Sequence, residues 1–165
     1  MLYVAKSLKE LNFSALMDIY IEGNRENGAD MWPDELEGRQ LAQAEQGFYQ
    51  YLRECFFPTP GAAYYIWGEN GKYVSALRLE PYQDGMLLEA LETAPDQRKK
   101  GYAKDLIRAV QVAGLAKKIY SHVSKRNVPS LRTHEACGFR KILDYAVYAD
   151  GSVMNNHVTF VYEGD

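Results

Sequence analysis

The sequence predicts an α+β fold: a mixed, mostly antiparallel sheet with one parallel strand pair, flanked by about four helices, in a single domain over residues 1–165. Three observations carry this. Apolar residues recur with a helical period up to Phe57 and then give way to β-rich runs separated by turn pairs. Of those runs, Met86–Thr93 and Lys118–Val123 are joined by a helical crossover, which makes them parallel. A mass of 18.8 kDa suits one core and leaves no room for two ordinary domains.

Leu2 to Ala5 is a short apolar strand, and Ser7 with Glu10 has capping-box spacing for a helix behind it. Phe13, Leu16, Met17 and Tyr20 keep the helical period, which is expected to break near Gly23, Asn27 and Gly28 before a loop at Trp32-Pro33. A second helix is predicted from Asp34 to Phe57, with Leu41, Ala44, Phe48, Tyr51, Leu52 and Cys55 on one face and Pro58 and Pro60 as the stop. Ala63–Trp67 and Tyr73–Leu79 flank Gly68-Glu69-Asn70-Gly71, whose Asn-Gly pair favours a hairpin turn, and Asp84-Gly85 repeats the signal before Met86–Thr93. A helix follows over Tyr102–Ala116, then the strand Lys118–Val123 and a short helix Val128–Cys137 that Gly138 ends. Phe139–Ala149 and Val153–Tyr162 are predicted to close the chain as a hairpin around Asp150-Gly151.

The net charge of -3 hides a polarised chain. Residues 1–96 hold 16 acidic against 7 basic side chains, residues 97–141 hold 2 against 12, and residues 142–165 hold 4 against none. A basic block in an otherwise acidic protein suggests one region that meets a polyanion. Nucleic acid is not the expected partner, because no basic strand studded with aromatics accompanies the block. Apolar runs are only a few residues long and no basic-then-apolar leader opens the chain, so a cytoplasmic protein with no membrane partner is expected. Cys55 and Cys137 form no CxxC pair, and His122, His134 and His157 lack ligand spacing, so no metal is expected. A homodimer is left open by the sequence.

The sharpest local signal is Pro95-Asp96-Gln97-Arg98-Lys99-Lys100-Gly101-Tyr102-Ala103, between a strand end and a helix start. Such a junction leaves backbone N–H groups unpaired at the positive end of a helix dipole and so suits an anion. It is neither a phosphate loop of the G-x-x-x-x-G-K-[ST] kind nor a G-x-G-x-x-G dinucleotide fingerprint.

Arg98-Lys99-Lys100-Gly101-Tyr102-Ala103 resembles the R/Q-x-x-G-x-G/A loop of the GNAT N-acetyltransferase superfamily. Asn127, Ser130, His134 and Gly138-Phe139 resemble that family's second signature, N-x-x-[AS]-x-x-x-Y-x-x-x-G-F, about 25 residues downstream. The resemblance extends over the element order from Leu2 to Glu163. It implies an acetyl-coenzyme A co-substrate in a wedge where the parallel strands splay. The amides of Arg98 to Ala103 would take the pyrophosphate, Lys99, Lys100 and Lys104 would supply positive charge, Leu91 and Thr93 would pair with the pantetheine arm, and Asn127 and Ser130 would border it.

The resemblance also implies catalytic roles. An alkylammonium must lose a proton before its nitrogen attacks a thioester. Glu89 stands where several members carry a glutamate, and by strand alternation it shares a side with Leu91 and Thr93, with Glu92 and Glu80 as competitors. The Leu91 backbone N–H is the expected oxyanion donor. The family's usual tyrosine acid is replaced here by His134, with Tyr120, Tyr145 and Tyr148 in reserve. Glu22, Glu26, Asp30, Trp32 and Asp34 crowd the first helical connection, so Glu26, Trp32 and Glu89 are expected to bind the acceptor: a small cationic amine or a peptide amino group. The same fold without turnover, an acetyl-coenzyme A sensor or partner module, is the alternative.

Overall fold

The computed structural model describes residues 1–165. One seven-stranded sheet forms the body: β1 (Leu2–Ala5), β2 (Ala63–Glu69), β3 (Lys72–Tyr82), β4 (Gly85–Thr93), β5 (Lys118–Ser124), β6 (Arg140–Leu143) and β9 (His157–Glu163). Its spatial order is β1-β2-β3-β4-β5-β9-β6, and only β4 and β5 run parallel. The helices are α1 (Phe13–Ile19), α2 (Ile21–Met31), α3 (Glu37–Tyr51), α4 (Tyr102–Val112) and α5 (Val128–Ala136). No helix is long and apolar enough to cross a membrane.

Two cores sandwich the sheet. On one face Leu77, Leu79, Leu88 and Ile119 pack with Leu106, Ile107 and Val110 of α4. On the other, Leu16, Ile19 and Tyr20 of the first helices pack with Leu52, Phe56, Tyr64, Ile66 and Ala76. Alternation along β3 sends Leu77 and Leu79 to the first face and Ala76 and Arg78 to the second.

The turn chemistry holds at the first meander hairpin and is corrected at the second. Asn70 and Gly71 have φ of 51° and 76°, the mirror-image turn that an Asn-Gly pair favours. At the second hairpin the turn is Gln83-Asp84, Gln83 has φ of 50°, and Gly85 already pairs with Tyr82 inside the ladder. Glycine is required there because a Cβ would overlap the Lys118 carbonyl of the neighbouring strand.

Three expectations are corrected. The helical pattern does not dissolve near Gly23 and Gly28; α2 runs to Met31, and Gly28 is where α3 comes closest, since a Cβ there would sit 2.5 Å from the Gln40 carbonyl oxygen. Five helices therefore stand where about four were read, with α1 and α2 divided at Tyr20. The predicted helix Asp34–Phe57 is α3 plus a looser π-type turn, Leu52–Phe56, that carries the chain to Pro58. The last hairpin is not a simple one: β9 inserts between β5 and β6, and the loop tip forms its own small ribbon from β7 (Ala146–Val147) and β8 (Val153–Met154).

Two glycines of α2 should answer oppositely to alanine. Gly28→Ala is expected to lower stability by about 1–3 kcal/mol through the clash with α3. Gly23→Ala, which points into open space, should raise it by about 0.5–1 kcal/mol. Thermal melting of the two variants checks the pair.

Candidate active site

β4 and β5 pair only over Met86↔Ile119, Leu87↔Tyr120 and Leu88↔Ser121. Beyond that rung the strands part, and the edge of β4 that faces β5 has no partner from Glu89 onward. A bulge reinforces the split: Arg78 pairs with Glu89 and Ala76 with Glu92, so Leu77 of β3 faces two residues of β4, Ala90 and Leu91, and Ala90 adopts φ of 53°. That left-handed backbone is held from the α1 side. The buried Tyr20 hydroxyl donates to the Ala90 carbonyl at 2.6 Å, and the Tyr64 hydroxyl donates to Tyr20 at 2.9 Å.

The bulge overturns the expected alternation. Glu89 faces Arg78 on the α1–α3 side of the sheet, whereas Leu91 packs into the core beneath α4. Arg78 Nε lies 3.3 Å from Glu89 Oε2, and its guanidinium stacks over Tyr51 at 5.0 Å and Phe56 at 5.5 Å. Burial outweighs Arg78, and nearby Glu80 adds repulsion, so the Glu89 carboxyl is raised to about 7.

On the other side of the fork lies a cleft of about 620 Å³ lined by Leu91, Thr93, Arg98, Lys99, Gly101, Tyr102, Ala103, Lys104, Asn127 and Ser130, together with Glu92, Gln97, Pro129 and Thr133. Ten of the eleven residues expected to meet a coenzyme thus converge on one cavity. Lys100 borders a neighbouring hollow of about 320 Å³ with Lys72, Asn70 and Tyr102, and its Nζ donates to Gln97 Oε1 at 3.1 Å.

The backbone amides from Arg98 through Lys104 donate to no acceptor in the chain. Lys99 and Gly101 have φ of 63° and 85°, and Gly101 is the residue from which α4 starts. A run of unpaired N–H groups ending on a helix N-terminus is an anion cradle. Asn127 caps α5 by accepting from the Ser130 amide at 3.2 Å, which leaves its side-chain NH₂ unpartnered at the cleft.

Arg98 differs from expectation in its side chain. The guanidinium pairs with Glu22 at 2.8 Å and Glu92 at 3.4 Å and donates to the Thr93 carbonyl at 3.3 Å, so its charge is spent on the protein and only its amide remains for an anion. Lys99, Lys100 and Lys104 form no ion pair. No group of three or more His, Cys, Asp or Glu is placed to hold a metal ion.

His134 does not reach the cleft. It is 1% exposed, its Nδ1 donates to the Ser130 carbonyl at 2.8 Å, its Nε2 meets Ser121 Oγ at 2.8 Å, and its ring stacks on Phe160. Both nitrogens are satisfied and burial lowers its pKa, which makes it a neutral core histidine and not a proton donor aimed at a ligand. Of the residues expected to bind the acceptor, Glu26, Trp32 and Glu89 all lie outside both cavities. Of the acidic residues on α2 only Glu22, through Arg98, touches the site; Trp32 is ten residues on, about 15 Å along a helix axis. The sequence reading missed Arg78, Tyr51 and His122; parity with Glu80 and Tyr82 on β3 and Tyr120 on β5 was the available signal, but only the tertiary structure puts these faces together.

A family model described as the acetyltransferase (GNAT) family matches residues 16–139. No curated protein matches the sequence. Among solved structures, the fold is similar to the PaiA N-acetyltransferase of Thermoplasma acidophilum in complex with coenzyme A, with TM-score 0.64, 11% identity and 99% of each chain covered. It is also similar to a spermidine N-acetyltransferase of Vibrio cholerae, with TM-score 0.62, 19% identity and 99% and 94% coverage of this chain and that one. An aminoglycoside 6′-acetyltransferase type Ii gives TM-score 0.62 at 14% identity, with 99% and 96% coverage. At such identities the likeness establishes the fold.

Two outcomes follow from the geometry. His134→Phe should cost about 1–3 kcal/mol of stability, because it leaves the buried Ser121 hydroxyl without its partner, while any turnover per folded molecule stays within about threefold; melting and kinetics on one preparation check both. Glu89 is favoured in its protonated form by the fold, so its contribution to stability is present below about pH 4 and lost as pH rises through about 7. The stability of Glu89→Gln relative to the parent chain should therefore increase between pH 5 and pH 8, by about 1.4 kcal/mol for each pH unit of displacement at most; denaturant titrations at the two pH values measure it.

Proposed function

The chain belongs to the acetyltransferase (GNAT) family, and from that premise we propose that it moves the acetyl group of acetyl-coenzyme A to a primary amine, a small cationic amine or a lysine-like amino group, by direct attack in a ternary complex. The observation that carries this reading is the unbroken run of free amides from Arg98 to Lys104 opening onto the cleft beside the β4–β5 fork. A diphosphate matches that cradle in charge and in its number of acceptor oxygens, and Lys99, Lys100 and Lys104 add uncompensated charge at its rim.

The bound co-substrate supplies an activated acetyl thioester. The edge of β4 past Leu88 gives Leu91 and Thr93 backbone groups that pair with an extended arm as a further strand would. Asn127 offers its free side-chain amide from the α5 side, next to Ser130. The Leu91 N–H is the donor assigned to the developing oxyanion.

Glu89 is the assigned base. A carboxyl at about 7 is half-ionised near neutral pH and basic enough to take a proton from an ammonium held against it. Its neighbours favour a cation: Glu80 is close enough to raise its pKa, and the Tyr51 and Tyr148 phenols feel the same carboxylate. This face, and not the Glu26–Trp32 region, is the acceptor side, because it adjoins the fork. Arg78 limits the carboxylate's rise and orients it through the 3.3 Å contact.

Isothermal titration with coenzyme A, followed by thiol release against a panel of primary amines, tests the reading. Micromolar-range binding is expected in the parent chain. Ala103→Glu, which puts a carboxylate into the cradle, should weaken binding at least about tenfold without lowering the melting temperature. Glu89→Gln should keep coenzyme affinity and lose about 10²–10⁴ in kcat. Binding without transfer to any amine would assign the chain to the sensor alternative, and a preference for anionic acceptors would overturn the amine class.

A further inference from the structure

An ammonium that becomes an amide gives up two protons. Glu89 accepts one, and His134, sealed in the core, has no route to the other.

His122 is the next residue of β5 after the last rung of the fork, as Glu89 is the next residue of β4. Leu88 packs into the α4 core and Ser121 points back to His134 on α5, so alternation turns both Glu89 and His122 to the opposite face, the face of Arg78. There the imidazole stands edge-on to Tyr82 at 5.5 Å and to Tyr148 at 4.9 Å. The Tyr148 phenol is raised by burial and, at longer range, by the Glu89 carboxylate. Both ring nitrogens of His122 are closed off from solvent, and neither has a hydrogen-bond partner. The nearby hydroxyls do not relieve them: Tyr82 donates to the Val147 carbonyl and Tyr120 to the Asp84 carboxylate.

A half-buried imidazole whose two nitrogens are both occluded and idle beside the fork is a polar group kept for a ligand, because the fold gains nothing from leaving it unmatched. We propose that His122 is a catalytic residue of the acceptor subsite, where its neutral ring accepts a hydrogen bond from the amine nitrogen and carries that nitrogen's second proton to the departing sulfur. This rests on the acyl-transfer reading above. Glu89 takes the first proton from the ammonium. The C–N bond forms and the nitrogen, now cationic, passes its second proton to the imidazole. The C–S bond breaks and the imidazolium gives the proton to sulfur, leaving an amide, a thiol and a neutral ring, while Glu89 releases its proton to solvent. The groups facing the imidazole are Tyr82 from β3, Glu89 by way of Tyr148, Tyr120 on its own strand and His157 from β9. Burial, with the charge of His157, holds its pKa below the ordinary value, so it is neutral at pH 7 and ready to accept.

The test uses the full chain, His122→Phe and His122→Gln, with n-butylamine, spermidine and a lysine peptide as acceptor probes. His122→Phe fits a box of aromatic rings and should melt no lower than the parent, bind coenzyme A within about twofold, and lose about 100-fold in kcat. His122→Gln should lose one ionisation from the acid limb of the kcat profile and keep the limb near pH 7 that belongs to Glu89. A second reading needs no turnover: with coenzyme A bound, adding n-butylammonium should shift the ¹⁵N resonances of the His122 ring and leave those of His134 in place. If the variants turn over within about threefold of the parent, or the His122 resonances stay put at saturating amine, the assignment is wrong although acyl transfer stands. If the parent chain binds no coenzyme A or acetylates none of the three probes, the functional reading fails and this one goes with it.

Discussion

One hydrogen bond governs the shape of the site: the Tyr20 hydroxyl on the Ala90 carbonyl, backed by the Tyr64 hydroxyl. An alanine at φ of 53° is disfavoured by its own Cβ and persists only where its surroundings insist on it. The insistence comes from two tyrosines in the core between the sheet and the first helices. Without it β4 would keep a regular ladder and alternation would put Leu91 on the same face as Glu89, away from α4. The site is thus a local strain borne by a distant core.

The fork divides the labour between the two faces. On the α4 side stand the unpaired amides of Arg98 to Lys104 with Lys99 and Lys104 beside them, a surface suited to an anion through geometry. On the α1–α3 side stand Glu89, Glu80, Arg78 and a group of aromatic rings, where burial and like charge move a carboxyl to about 7. A single strand thereby has a cleft of unpaired amides behind it and a carboxyl raised to about 7 before it. The polarised charge of the sequence foreshadows this, although the carboxyls nearest the fork, Glu89 and Glu92, are strand residues and α2 reaches it only through Glu22 and Arg98.

The two histidines of the fork show how position decides chemistry for one residue type. His134 and His122 flank the same rung, one reached through Ser121 and the other next to it in sequence. The first is saturated by Ser130 and Ser121; the second is boxed by rings and saturated by nothing. The motif that marks position 134 records spacing along α5 and not what lies across from the ring, and across from it stand Ser121 and Phe160.

The sequence by itself determined what depends on near neighbours. The meander turns, the start of α4 at Gly101, the anion loop and the end of α5 at Gly138 are all written in a few consecutive residues, because left-handed backbone and unpaired amides are local properties. The continuation of α2 through Gly28 was not legible, since that glycine serves the approach of α3 and not a helix end. Only the tertiary structure decided that Ala90 bulges, that Arg98 turns to Glu22 and Glu92, that Arg78 sits beside Glu89, and which histidine is free. Each of these is a pairing between groups far apart in the chain, and the energies that settle them, burial and charge in a shared low-dielectric space, exist only once the strands are side by side.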